Sequence, residues 1–147
     1  MTQVNPKHRE LVKAIAIGDT DRAKELNESI PQQERADYHT FVTAFFSIML
    51  ELRFKEDSSR EAIASFVDEM RYDYRKADPP IKPMVIEGVI RASCGEEHLL
   101  DDISGADTLA AEYQVIGKIA VQSPEVIQNP DHYLDEAEGL FAEWESV

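Results

Sequence analysis

Residues 38–54 read Tyr-His-Thr-Phe-Val-Thr-Ala-Phe-Phe-Ser-Ile-Met-Leu-Glu-Leu-Arg-Phe, and this stretch decides the fold. Tyr38, Phe41, Val42, Phe45, Ile48, Met49 and Leu52 recur at steps of three and four, which lines one face of a helix. Ala44, Phe46, Leu50 and Phe54 make the other side apolar as well. A helix apolar nearly all round belongs either in a core or in a membrane. Spanning takes about 20 uncharged apolar residues. This run is shorter, is interrupted by Thr43, Ser47 and Glu51, and closes on Arg53 and Lys55. A buried central helix over about residues 32–55, with the other helices packed on it, is therefore expected.

Toward the N-terminus, Pro31 and the polar Gln32, Gln33, Glu34 and Arg35 form the opening of this helix. Further back, Pro6 suits a first helical turn, where its missing N–H costs nothing. Leu11, Ala14 and Ile15 repeat at helical spacing as far as Ile17. Gly18 is a natural stop and Asp19 a natural N-cap. A second helix, with Ala23, Leu26 and Ile30 inward, then makes a helical hairpin with the first.

Toward the C-terminus, Ser58 and Glu61 form a capping box ahead of Ala62, Ile63, Phe66, Val67, Met70 and Tyr74. The short link Glu56-Asp57 makes this fourth helix the antiparallel neighbour of the central one. Pro79, Pro80 and Pro83 forbid a continuous helix, so residues 78–83 are expected to form a stiff corner between two helical layers. Pro83 opens a fifth helix that ends near Cys94 and Gly95. Leu99, Leu100 and Ile103 make a short amphipathic turn. Asp107 is placed to cap a sixth helix carrying Leu109, Tyr113, Ile116, Ile119 and Ala120. Gly117 lies mid-helix, where it costs about 1 kcal/mol relative to Ala, and reads as a point of close helix packing. After a loop or single turn at Ser123-Pro124-Glu125, Asn129 and Pro130 give an N-cap followed by proline at the first helical position. The last helix presents Leu134, Ala137, Leu140, Phe141 and Trp144, with Trp144 expected to seal the core. No segment alternates as a strand does, and no repeat recurs at a fixed period. The expectation is all-α: one domain over residues 1–147, a bundle or array of six to eight helices.

The 147 residues suffice to bury about two-thirds of the unfolded surface without staples. The single Cys94 excludes an intramolecular disulfide. Residues 1–10 carry no apolar run of the signal-peptide kind, and a cytoplasmic protein is expected. The net charge of −14 is uneven. From Ala92 onward there is one base, Lys118, against 13 acids, a balance of −12, which leaves −2 for the rest. So acidic a segment repels nucleic-acid phosphate and anionic lipid and attracts basic surfaces. It suits a docking face for a basic protein, a mimic of nucleic acid, or a merely solvated surface. The only basic cluster, Arg71-Tyr72-Asp73-Tyr74-Arg75-Lys76, sits at a helix C-terminus, where cations are favoured anyway.

Motifs for chemistry are sparse. No His is preceded at the third position by Glu, as a helical diiron site requires, and there is no His-Glu-x-x-His. His98 with Asp102, and His132 with Glu136, are four apart and read as surface pairs. Cys94 is followed by Glu96 and Glu97, which raise rather than lower a thiol's pKa. No nucleophile elbow or phosphate loop occurs. Glu51 and Glu87 are lone acids in apolar runs: each either sits in apolar surroundings that can raise a carboxyl's pKa, or lies on its helix's solvent-facing line or pairs with an Arg. No cofactor or metal is implied. Two readings follow. The first is a regulator, adaptor or immunity-like protein docking a basic partner through its acidic C-terminal half, with Glu138, Glu143, Trp144 and Glu145 as contacts. The second is a ligand-binding protein or enzyme with a pocket between the central and fifth helices, lined by Phe41, Phe45, Met49 and Met84, with Glu51 or Glu87 as its polar group. A homo-oligomer through the last helix is a further expectation.

Overall fold

The computed structural model describes residues 4–146. Among them are eight α-helices and no strand: α1 (Pro6–Ile17), α2 (Thr20–Glu28), α3 (Arg35–Phe54), α4 (Arg60–Asp73), α5 (Pro83–Ser93), α6 (Gly105–Gln122), α7 (Pro124–Gln128) and α8 (Pro130–Glu145). Short 3-10 turns at Gln32–Glu34 and Glu97–Leu100 precede α3 and α6. The fold is all-α, as the helical periodicity requires. Among the described residues, no helix is long and apolar enough to cross a membrane.

The local signals explain most boundaries. Asn5 caps α1 by accepting from the Lys7 N–H at 2.9 Å, with Pro6 in the first turn. Gly18 ends α1 at φ 79°, a left-handed conformation that glycine adopts without steric cost. Asp19 then caps α2 by accepting from the Arg22 N–H. Two caps differ from expectation by position. Ser59, not Ser58, accepts from the Ala62 N–H at 3.2 Å, so no reciprocal box with Glu61 forms. Ser104, not Asp107, caps α6, accepting from the N–H of Asp107 at 3.1 Å. In each case several adjacent residues could cap, and the register of the apolar face chooses among them. Asn129 occupies the cap position of α8 but makes no side-chain capping bond.

The chain forms two compact units. One contains the described residues up to Met49 together with those from Ile116 on; the other is Leu50–Val115. Their limits fall inside α3 and α6, not at the proline-rich stretch. Residues 78–83 instead turn the chain within the second unit, between α4 and α5, which pack on each other. The Asp78–Pro79 peptide is cis.

In the first unit, α1 packs against α2, α7 and α8. Its core includes Leu11, Val12, Leu26, Tyr38, Phe41, Val42, Phe45, Phe46, Met49, Leu134 and Phe141. Phe41 and Phe141 meet edge to face, ring centroids 6.2 Å apart. Seven side chains of residues 38–49 are fully buried, which is the all-round burial expected of a core helix. In the second unit, Phe54, Ile63, Phe66, Met70, Ile86, Val89 and Ile90 make the core. The Phe54 and Phe66 rings meet edge to face, and the Arg53 guanidinium lies 5.2 Å from both. Close approach at a glycine occurs at Gly88, where an added Cβ would sit 3.2 Å from Ile103 Cδ1. At Gly117 nothing lies within 4 Å of that position, so the expected close packing is absent there.

Candidate functional site

The last helix divides its acids into two groups. Asp131, Asp135 and Glu138 recur at steps of four and three, which aligns them on one face, and that face meets Arg9 of α1. Arg9 Nη1 donates to Asp135 Oδ1 at 2.9 Å and to Glu138 Oε2, while Nη2 donates to Asp131 Oδ1 at 3.2 Å. Lys13 adds a contact to Asp131 at 3.5 Å. These carboxylates hold the Arg9 guanidinium above its ordinary pKa against the opposing effect of burial, and Asp131 is held below the ordinary aspartate value chiefly by its bond to Arg9. Glu138 is thus an internal partner, half-buried, and not a free contact for another molecule.

Glu143, Trp144 and Glu145 differ. All three are exposed at the C-terminal turn of α8. Trp144, expected to seal the core, is instead 39% exposed, because the buried face of α8 ends at Phe141. Neither Glu143 nor Glu145 has an ion-pair partner among the described residues.

Outside α8, two acids of the acidic half, Glu96 and Asp107, pair with cations from earlier in the chain. Glu96 accepts two bonds from Arg91, both at 2.8 Å, and one from Arg60 at 2.7 Å. Arg91 is the first cause of a Glu96 pKa near 2. Lys82 pairs with Asp107 at 3.0 Å. Glu97, Asp101 and Asp102, next to the exposed Leu100, have no ion-pair partner among the described residues and form a second acidic group outside the expected contact set.

The residues of the expected ligand pocket fall in both compact units and differ in exposure. Phe41, Phe45 and Met49 are wholly buried core side chains. Met84 is 87% exposed, and Glu51 is exposed. Glu87 is half-buried and accepts from Arg91 in its own helix at 3.3 Å, while Arg53 pairs with Glu69 at 3.6 Å. At Met84, apolar neighbours in sequence did not mean apolar surroundings in space.

The remaining candidates are surface features. His132 pairs with Glu136 at 2.9 Å. His98 lies in a 3-10 turn, where a four-residue spacing no longer shares a face. Among the described residues, no group of three or more His, Cys, Asp or Glu side chains could hold a metal ion. Cys94 is exposed, and its thiol pKa is raised by partial burial and then by Glu96. In the basic cluster, Arg75 stacks on Tyr72 at 4.3 Å and donates to its carbonyl at 2.8 Å. Comparison with protein-family models, curated proteins and solved structures found no match.

Proposed function

We propose that this protein acts by binding another protein, a regulator, adaptor or immunity-like role, and that it docks a basic surface through the end of α8. The observation carrying this reading is the exposed sequence Glu143-Trp144-Glu145, two carboxylates without ion-pair partners among the described residues flanking a large aromatic. Trp is the side chain most often found anchoring interfaces, and charges at the rim steer and select the partner. The charge balance of −12 after Arg91 agrees in sign. Internal pairing with Arg9, Lys13, Arg60, Lys82 and Arg91 removes several acids from the docking face, and of the groups left without an ion-pair partner among the described residues this helix end is the one that carries an exposed tryptophan. Nucleic acid and anionic membrane are disfavoured as partners by the same charge. A cytoplasmic setting belongs to the proposal, as does a second copy of the chain as competing occupant.

The test compares proteins retained from lysate of the native cell by the wild type and by a Glu143→Gln, Trp144→Ala, Glu145→Gln triple variant. Basic proteins held at low salt by the wild type, released at high salt and depleted with the variant are the expected result. An identical retained set for both chains would remove this helix end from any docking role.

A further inference from the structure

A cleft of about 430 Å³ opens in the first unit where the start of α1 meets the start of α3. The volume lies in the range of small-ligand sites, roughly 300–1,000 Å³. Its polar lining is Asn5, His8, Glu34 and Asp37; its apolar lining includes Val4, Pro6 and the edges of Phe41 and Phe141. None of the lining residues is a lysine or an arginine.

The polar groups are held in place. His8 is 4% exposed, unusual for a histidine, and its ring packs edge-on against Tyr38 at 5.4 Å. Its Nε2 lies 3.1 Å from Glu34 Oε1. Asn5 Nδ2 donates to the same oxygen at 3.3 Å. Both contacts fall on Oε1, so Glu34 is fixed while Oε2 has no hydrogen-bond partner among the described residues. Asp37, one helical turn on, has no ion-pair or hydrogen-bond partner among the described residues. The cleft therefore combines a positioned carboxylate, a second unengaged one and an apolar wall.

Charge decides the ligand class. Two carboxylates contribute −2. The N-termini of α1 and α3 each contribute about +0.5, which leaves about −1 with a neutral His8, and no lysine or arginine lines the cleft to meet it. We infer that this cleft binds a small organic cation, a primary ammonium on an apolar body, with Glu34 and Asp37 accepting its N–H bonds and the apolar wall taking the body. Asn5 and His8 act as positioning residues for Glu34. The site is separate from the end of α8 proposed for docking, and stands or falls independently of it.

The test is titration of the full chain with benzylamine at neutral pH, followed through the NMR signals of the Asn5 side-chain amide and the His8 ring. Benzyl alcohol and benzoate serve as neutral and anionic controls of similar shape. Saturable shifts with benzylamine, and affinity at least about tenfold weaker for benzyl alcohol, are expected, tenfold being 1.4 kcal/mol. Asp37→Asn removes a group without a hydrogen-bond or ion-pair partner among the described residues, so the fold should be retained, and it should weaken benzylamine binding several-fold. Glu34→Gln should weaken it more, and Glu56→Gln, on the exposed α3–α4 link, should leave it unchanged. Equal affinity for benzyl alcohol, absence of saturable shifts with benzylamine and butylamine alike, or unchanged binding in Asp37→Asn would overturn the inference.

Discussion

Arg9 reaches three carboxylates spaced along α8 and so ties α1 to that helix. The partners are exposed, Asp131 by 58% and Asp135 by 73%, so solvent screens each pair to at most about 1 kcal/mol. The Arg9 side chain itself is only 21% exposed and packs its stem on its surroundings. Arg9→Gln should therefore cost about 1–2 kcal/mol in denaturant unfolding, pair loss and packing together. Arg22→Gln, which loses one exposed contact of 3.7 Å within α2, should fall within about 0.5 kcal/mol. Similar losses for the two variants would show that the clamp contributes nothing special. At Glu96 the prediction concerns pH. Its folded pKa, near 2, lies below the ordinary 4.5. Stability from the Arg91 and Arg60 bonds is therefore present above pH 4.5 and is lost as pH falls toward 2. Glu96→Gln should be less stable at neutral pH and should change less across that window. Parallel acid profiles for the two proteins would contradict the assignment.

At the scale of the helix, glycines give the sharpest contrast. Gly117 lies mid-α6 with open space where a Cβ would stand. Gly117→Ala should stabilise by about 0.5–1 kcal/mol, the helix propensity difference. Gly88→Ala has the same propensity gain but must displace Ile103 from 3.2 Å, and should gain less or lose. Gly18→Ala, at φ 79°, should destabilise by about 1 kcal/mol. Thermal unfolding of the three variants tests the order. These elements also show what a sequence exposes. The three-and-four spacing of residues 38–54, Pro6, Gly18 and Pro83 fixed helix positions because those signals act through the local backbone. Ser58 versus Ser59, and Asp107 versus Ser104, were not separable, since adjacent capping residues are locally equivalent. The alignment of Asp131, Asp135 and Glu138 was legible as a helix face, yet its partner was not, because Arg9 lies 126 residues from Asp135. The cleft at His8 and Glu34 was hidden for the same reason, the two being 26 positions apart. Met84 misled in the opposite direction, since apolar neighbours in sequence did not bring burial, whereas Glu51 lies on the solvent-facing line open to a lone acid in an apolar helix.

For the molecule as a whole, the charge of −14 is the dominant property. Five cations from earlier in the chain, Arg9, Lys13, Arg60, Lys82 and Arg91, meet part of the C-terminal excess, and the acids without an ion-pair partner among the described residues include those at the end of α8 and Glu97, Asp101 and Asp102. Trp144 is the chain's only tryptophan, so fluorescence reads that helix end directly. Native emission should be red-shifted and open to acrylamide quenching, as its 39% exposure implies; blue, protected emission in the isolated protein would return Trp144 to the core. The central claim is that this helix end docks a basic partner, and its most direct test is the affinity of the retained partner for wild type and for the Glu143→Gln, Trp144→Ala, Glu145→Gln variant, each at low and high salt. Binding that weakens with salt in the wild type, and is at least about tenfold weaker in the variant at low salt, a difference of 1.4 kcal/mol, is the expected result. Equal affinity of the two proteins at low salt would contradict it.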